Sequence, residues 1–137
     1  LQQAWGELGL KIDVNIVEWK SFTPQRRAGN YQVARDGWVM DYNDPSNILE
    51  LALTGNGNNN SKYSNPEFDA LMGKAATEKD PQTRFGYLHQ AEDVIMKDTA
   101  MVPLLYYNDF YLQSDKITGS WHSPDGFWHF EYADLAQ

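Results

Sequence analysis

Between Trp19 and Pro45 the chain gathers three kinds of side chain that together could grip a small zwitterion: fixed cations, fixed anions and large flat rings. The densest part is Arg35-Asp36-Gly37-Trp38-Val39-Met40-Asp41-Tyr42-Asn43-Asp44-Pro45, with Trp19, Arg26 and Arg27 upstream. An arginine presents a planar fork that matches a carboxylate bidentately. An aspartate accepts hydrogen bonds from an ammonium group, and a tryptophan supplies a rigid apolar wall at low entropic cost. These are the needs of a short peptide. The plainer reading of the same residues is that Arg35 pairs with Asp36 or Asp41 on a solvated strand end and that Trp38 belongs to the core.

Catalytic chemistry finds less support. The three histidines, His89, His122 and His129, lack partners at the H-x-x-x-H or H-E-x-x-H spacing of a metal site. No nucleophile elbow, phosphate-binding loop or dinucleotide fingerprint occurs, and Gly55-Asn56-Gly57 runs into asparagines rather than opening a helix. With no cysteine, disulfides and thiolate chemistry are excluded, although that says nothing of compartment. The expectation is therefore no catalytic residue, no metal and no cofactor.

The elements that must position these groups can be read from local signals. Leu1 to Leu8 has a helical pattern released by Gly9. Ile12 to Trp19 alternates apolar and polar residues and is β-branched, which predicts a half-buried strand. Ser21 to Gly29 reads as a short helix, Tyr31 to Arg35 as extended chain, and Ile48 to Leu53 as two helical turns before an Asn-rich solvated loop at Asn58-Asn59-Asn60. Asn65-Pro66 opens a helix to about Thr77, and Asp80-Pro81 opens another to about Lys97. Phe68, Leu71, Met72, Phe85, Leu88 and Ile95 form the expected core of this helical hairpin. One or two strands are expected over Met101 to Leu112, and the tail from Lys116 to Gln137 has a Ser-Pro-Asp-Gly turn with no clear helix until Ala133. Strands interleaved with helices predict an α/β or α+β domain.

Composition sets the outer bounds. The 137 residues carry 11 Lys+Arg against 19 Asp+Glu, a net charge of −8. That balance, with no basic run, is the wrong electrostatics for nucleic acid or an anionic lipid surface. No apolar run approaches the roughly 20 residues of a bilayer-crossing helix. Hydrophobic residues make up 42% and aromatics 14%, enough to build a core. Nine of the 27 residues from Tyr106 to Tyr132 are aromatic, a compositional shift that marks a candidate boundary. The opening Leu1-Gln2-Gln3 reads like a helix already under way, as in a fragment of a longer chain.

Glu18-Trp19-Lys20, Arg35-Asp36-Gly37-Trp38-x-x-Asp41-Tyr42-Asn43-Asp44-Pro45, Tyr63-Ser64-Asn65-Pro66-Glu67-Phe68-Asp69, Ala91-Glu92, Val102-Pro103-Leu104 and Tyr106-Tyr107 follow one another in the order seen in a known family. In these motifs the chain resembles the carboxy-terminal portion of the oligopeptide-binding proteins of ABC importers, the family 5 solute-binding proteins. The resemblance spans about Leu1 to Leu112 and is weaker in the aromatic tail. It implies an α/β C-terminal lobe fragment of a type II periplasmic-binding-protein fold. Residues 1–105 would be part of the second ligand-binding lobe, and 106–137 a hinge-crossing strand and tail packed on the missing N-terminal lobe. It also implies a non-enzymatic receptor, periplasmic or a cell-surface lipoprotein, that delivers short peptides to ABC permease subunits. By residue, Asp41 would anchor the peptide ammonium, Arg35 and Arg26 would meet a carboxylate or main chain, and Trp19 and Trp38 would line pockets beside Gly37. Tyr107 would stand near the second crossing between lobes. Asp36 departs from the family's usual small residue, which keeps murein peptide, nickel complexes and sugars open as ligands, and a carbohydrate-binding module or enzyme fragment stands as the rival class.

Overall fold

The computed structural model describes residues 1–108, 110–123 and 126–136. It divides into two compact units, Leu1–Ala34 and Arg35–Gln137. The first unit holds helix α1 (Gln2–Glu7) and helix α2 (Trp19–Ala28). Gly9 takes φ +82° just beyond α1, and α2 stops where Gly29 turns left-handed at φ 76° and returns its N–H to the Arg26 carbonyl. Only a residue without Cβ enters that region at little cost, so both glycines end their helices as expected.

The second unit begins with the Arg35–Pro45 loop and continues into α3 (Ser46–Leu49), which tightens into a 3₁₀ turn at Glu50–Ala52. Helix α4 (Pro66–Thr77) and helix α5 (Pro81–Lys97) follow. Their starts are fixed by capping. The Asn65 side-chain oxygen accepts the N–H groups of Glu67 at 2.9 Å and Phe68 at 3.3 Å, and the Asp80 carboxylate accepts that of Thr83 at 2.8 Å. A proline at the first helical position of each loses no hydrogen bond.

The core of this unit lies between the two helices and the α3 turn. It comprises Leu49, Ala52, Phe68, Leu71, Met72, Ala75, Leu88, Ala91 and Ile95. Phe85 is not among them; it is 43% exposed. The inward row of α5 is Arg84, Leu88, Ala91 and Ile95, a 4-3-4 spacing, and Phe85 lies about 100° round the helix from Arg84. The inward place is held by an arginine because its partner, Asp44, is there (below).

The far ends of α4 and α5 are also fastened. The Tyr63 hydroxyl donates to the Asp98 carboxylate at 2.6 Å, and the Asn65 side-chain amide donates to it at 2.7 Å. An aspartate at a helix C-terminus opposes the helix dipole. The two donors compensate: with the Tyr63 hydrogen bond the larger effect, they hold the Asp98 carboxyl below its usual range. Burial and the same carboxylate push the Tyr63 phenol up to about 12.

The Asn-rich loop is not simply a solvated turn. Asn59 is buried, with its amide nitrogen donating to the carbonyls of Leu53 at 3.1 Å and Tyr63 at 2.8 Å. Its oxygen accepts the Tyr63 N–H at 3.1 Å and the Ser61 hydroxyl at 3.0 Å. One carboxamide thus replaces the backbone pairing that the loop lacks.

The sheet content differs most from expectation. Residues 12–18, 31–35 and 101–108 belong to no strand, and neither do 110–112. Alternation specifies which faces a strand would present, but a ladder needs a neighbour, and none pairs with these segments among the described residues. Their apolar sides are left bare: Ile16 is 90% exposed, Tyr106 98% and Phe110 94%. The strands that do form are two-residue pairs in the tail. β1 (Ile117–Thr118) is antiparallel to β4 (Asp134–Leu135), with Ile117 opposite Leu135. β2 (Trp121–His122) is antiparallel to β3 (Trp128–His129), with Trp121 opposite His129. No helix follows Ala133. Gly119, at φ +71°, joins β1 to β2, and a Cβ there would lie 1.9 Å from the Tyr132 carbonyl oxygen, so the two pairs can meet only at a glycine. The Ser-Pro-Asp-Gly turn falls partly on 124 and 125, outside the described residues. Within the described residues, no helix is long and apolar enough to cross a membrane.

Candidate functional site

Five of the expected ligand-site residues, Arg35, Gly37, Trp38, Asp41 and Tyr107, lie in the second unit. The structure brings them into two small groups. In one, an Arg35 guanidinium nitrogen donates to the Tyr107 hydroxyl, and the guanidinium carbon stands 5.9 Å from the centre of the Tyr107 ring. Gly37 passes beneath that ring, where an added Cβ would meet the ring edge at 3.9 Å. In the other group the indole N–H of Trp38 and the main-chain N–H of Asp41 converge on one atom, the Asn47 side-chain oxygen, at 3.0 and 3.2 Å. The chain must curl between Trp38 and Asp41 for both donors to reach it, which sets the Asp41 backbone beside the indole. The Asp41 side chain is exposed, and Trp38 is 40% exposed. Trp38 is therefore not a core residue.

Two further contacts hold the loop that carries these groups. Asp36 accepts the Gly37 N–H at 2.8 Å and the Asn60 side-chain amide at 3.1 Å. Asp44 takes a two-pronged contact from Arg84 of α5, both guanidinium nitrogens lying 2.8 Å from its oxygens, and also accepts the Ser46 N–H at 2.9 Å. The fork geometry and partial burial make this a stronger pair than an exposed one. The Arg84 hydrogen bond, helped by Ser46 and opposed by burial, holds the Asp44 carboxyl far below its usual range.

The consequence for pH follows from the sign of that shift. A carboxyl whose folded value is depressed contributes stability that is present above its unfolded value, about 3.8, and is lost as pH falls through the folded value. Asp80 and Asp98 are depressed as well, by Thr83 and Tyr63 respectively. The protein is expected to lose stability progressively below about pH 4. In urea unfolding followed at several pH values, Asp44→Asn should flatten that acid limb, while an unaltered limb would mean that the Asp44–Arg84 pair carries no linked stability.

Trp19 and Arg26 lie in the first unit, on α2. The Arg26 guanidinium carbon stands 5.7 Å from the Trp19 ring centre and 5.4 Å from that of Phe22, and the two rings are 5.9 Å apart. Arg26 thus lies two turns beyond Trp19 on the same side of α2, with Trp19 63% exposed. Two clefts lie apart from the expected residues. One, of about 280 Å³, is lined by Ser46, Glu50, Asp69, Met72, Arg84 and Leu88; the other, of about 350 Å³, by Tyr111, Ile117, Trp128 and Phe130 among others. Among the described residues no cluster of three or more His, Asp or Glu is disposed to hold a metal ion.

Sequence reasoning missed Asn47 and Asn60. Asn60 sits in a loop whose composition signals only a turn. Asn47 had one faint signal: it precedes an apolar helical run by one residue, at a position where its neighbours Leu49 and Ala52 face the core.

Residues 1–60 match the middle region of the bacterial extracellular solute-binding proteins, family 5. Over those residues the chain is similar to that family. Similarity to individual members extends over the rest of the chain. The dipeptide-binding protein DppE of Bacillus subtilis is 32% identical over 133 residues, which is 97% of this chain and 24% of the relative. The periplasmic oligopeptide-binding protein OppA of Salmonella typhimurium is 37% identical over 100 residues, 73% of this chain and 18% of the relative. The solved structure of Haemophilus influenzae OppA in complex with the peptide RPPGFSPFR superposes with a TM-score of 0.79 at 29% identity, covering 98% of this chain and 26% of that one. The chain spans about a quarter or less of the length of these relatives, and its mixed helix and sheet is a piece of their fold.

Proposed function

We propose that this chain is part of an extracytoplasmic receptor that binds short peptides and hands them to the permease of an ABC importer. The observation that carries the reading is the exposed residue Asp41, its main-chain N–H held on the same Asn47 oxygen as the half-exposed Trp38 indole. An ammonium group can be stripped of water only where a carboxylate and filled hydrogen bonds replace it, and the neighbouring ring supplies the apolar wall. Arg35, with Tyr107 against it, offers the opposite charge for a carboxylate or a main-chain carbonyl. The family resemblance also nominates Trp19 and Arg26, neighbours on α2 of the first unit, as ligand contacts. The names of the relatives, as dipeptide- and oligopeptide-binding proteins, support the same substrate class.

In this reading residues 1–105 form part of the second ligand-binding lobe, and 106–137 cross to the other lobe and pack on it. Bare apolar chain supports that assignment: Tyr106, Phe110 and Leu112 are each more than nine-tenths exposed, and contiguous apolar surface of this kind is seldom left in water. The receptor works outside the cytoplasm, in the periplasm or tethered to the cell surface, and performs no catalysis.

A thermal-shift screen of the full-length protein against tri- to pentapeptides, sugars and nickel salts tests the proposal. Peptide at a hundredfold its Kd should stabilise by about 2.7 kcal/mol, a shift of several degrees. The sugar arm addresses the aromatic tail, where Trp121 stacks on His129 with ring centres 3.8 Å apart, a platform a sugar ring could use. A shift with sugars or nickel and none with peptides would overturn the peptide assignment.

A further inference from the structure

Asn47 makes an unusual use of its carboxamide. It is only 1% exposed, its oxygen accepts both the Trp38 indole N–H and the Asp41 main-chain N–H, and its side-chain nitrogen is buried with no hydrogen-bond partner. A buried N–H without an acceptor is costly, so an asparagine retained in that condition is held by its acceptor half. The contacts from Asp36 to Asn60 and from Asp44 to Arg84 act on the ends of the loop. Asn47 reaches into the turn between Trp38 and Asp41.

We infer that Asn47 is a positioning residue for the ligand site: by holding the Trp38 indole and the Asp41 backbone on one oxygen, it fixes the separation between the aromatic wall and the main chain that carries the anchoring carboxylate. It touches no ligand itself, because its polar atoms are sealed from solvent. Two half-exposed or exposed groups are thereby ordered before a ligand arrives, and the entropy of ordering them is not charged against binding. The inference rests on the peptide-site reading for its functional half, while its structural half, the shared acceptor, stands apart from any ligand.

The test uses full-length protein labelled with ¹⁵N-tryptophan, the Trp38 indole resonance being assigned with Trp38→Phe. Asn47→Ala should shift that resonance, speed its exchange with water and weaken tripeptide binding tenfold or more in calorimetry. Asn47→Asp keeps an acceptor oxygen but puts a carboxyl group in a buried place, so its readout is the indole and not affinity: the Trp38 N–H should stay hydrogen-bonded and slow to exchange with water, unlike in Asn47→Ala. Should Asn47→Ala fail to fold, Trp38→Phe removes the donor from an accessible ring and is expected to weaken tripeptide binding by itself. Three results would overturn the inference: an unchanged indole resonance in Asn47→Ala, unchanged affinity in a folded Asn47→Ala, or undiminished binding by Trp38→Phe. If Asp41→Ala also binds peptide normally, the peptide-site reading fails; if Asp41→Ala loses binding and folded Asn47→Ala does not, only the positioning role fails.

Discussion

Asp41→Ala is expected to weaken the binding of short peptides to the full-length protein by about 2–5 kcal/mol, the cost of leaving a desolvated ammonium without its counter-charge. The carboxylate is open to water in the chain, so the removal costs the free protein little; the loss falls almost wholly on the bound state. Asp41→Asn is the sharper variant, since it preserves volume and one acceptor oxygen while removing the charge and the second acceptor. Calorimetry with a tripeptide and with its N-acetylated form separates the two contributions. The parent should discriminate strongly against the acetylated peptide, and the alanine variant should bind both weakly and alike. Full affinity in either variant would strike Asp41 from the site.

The second large effect is on stability. Phe68→Ala should cost about 3–5 kcal/mol, the range for emptying a fully enclosed aromatic position. Phe68 has no exposed surface and meets the Tyr63 ring edge-on at 5.7 Å. Its removal opens a cavity in the middle of a core of nine residues and loosens the ring whose hydroxyl reaches Asp98. Against a typical total of 5–15 kcal/mol that is a large fraction. Urea unfolding followed by circular dichroism reads it directly, and a loss below 1 kcal/mol would mean that the site collapses around the vacancy. Phe85→Ala is the contrast: more than two-fifths exposed, it should cost far less.

The helices were legible because their signals are local. Asn65-Pro66 and Asp80-Pro81 each place a side-chain acceptor and a proline where a helix start needs them, and both helices begin there and end at Thr77 and Lys97 as expected. The strands were not legible for the converse reason. Alternation in 12–18 says how a strand would face but not whether a partner exists, and the pairing that did form joins residues 117–118 to 134–135 across a span no local pattern reveals. Phe85 was misread because the inward position beside it was taken by Arg84, whose partner lies forty residues away. The same division holds for the site. The cluster of Arg35, Gly37, Trp38 and Asp41 was visible as residue types in one short stretch, and the motif order carried Tyr107 with it. The contacts that shape the loop, from Asn47, Asn60 and Arg84, join polar side chains to partners that only the folded chain brings near.

That last pair has a kinetic consequence. Helices α4 and α5 are consecutive, with only residues 78–80 between them, so they can assemble without closing a long loop. The segment bearing Trp38 and Asp41 lies upstream and must wait for Arg84 to be in place before Asp44 can engage it. Substitutions between the two helices, such as Phe68→Ala, should then slow refolding, whereas loss of the Asp44–Arg84 pair should chiefly hasten unfolding. During synthesis the same order would leave the segment of Trp38 and Asp41 unfastened until the ribosome has passed α5, so the portion proposed to meet a ligand is the portion that matures late.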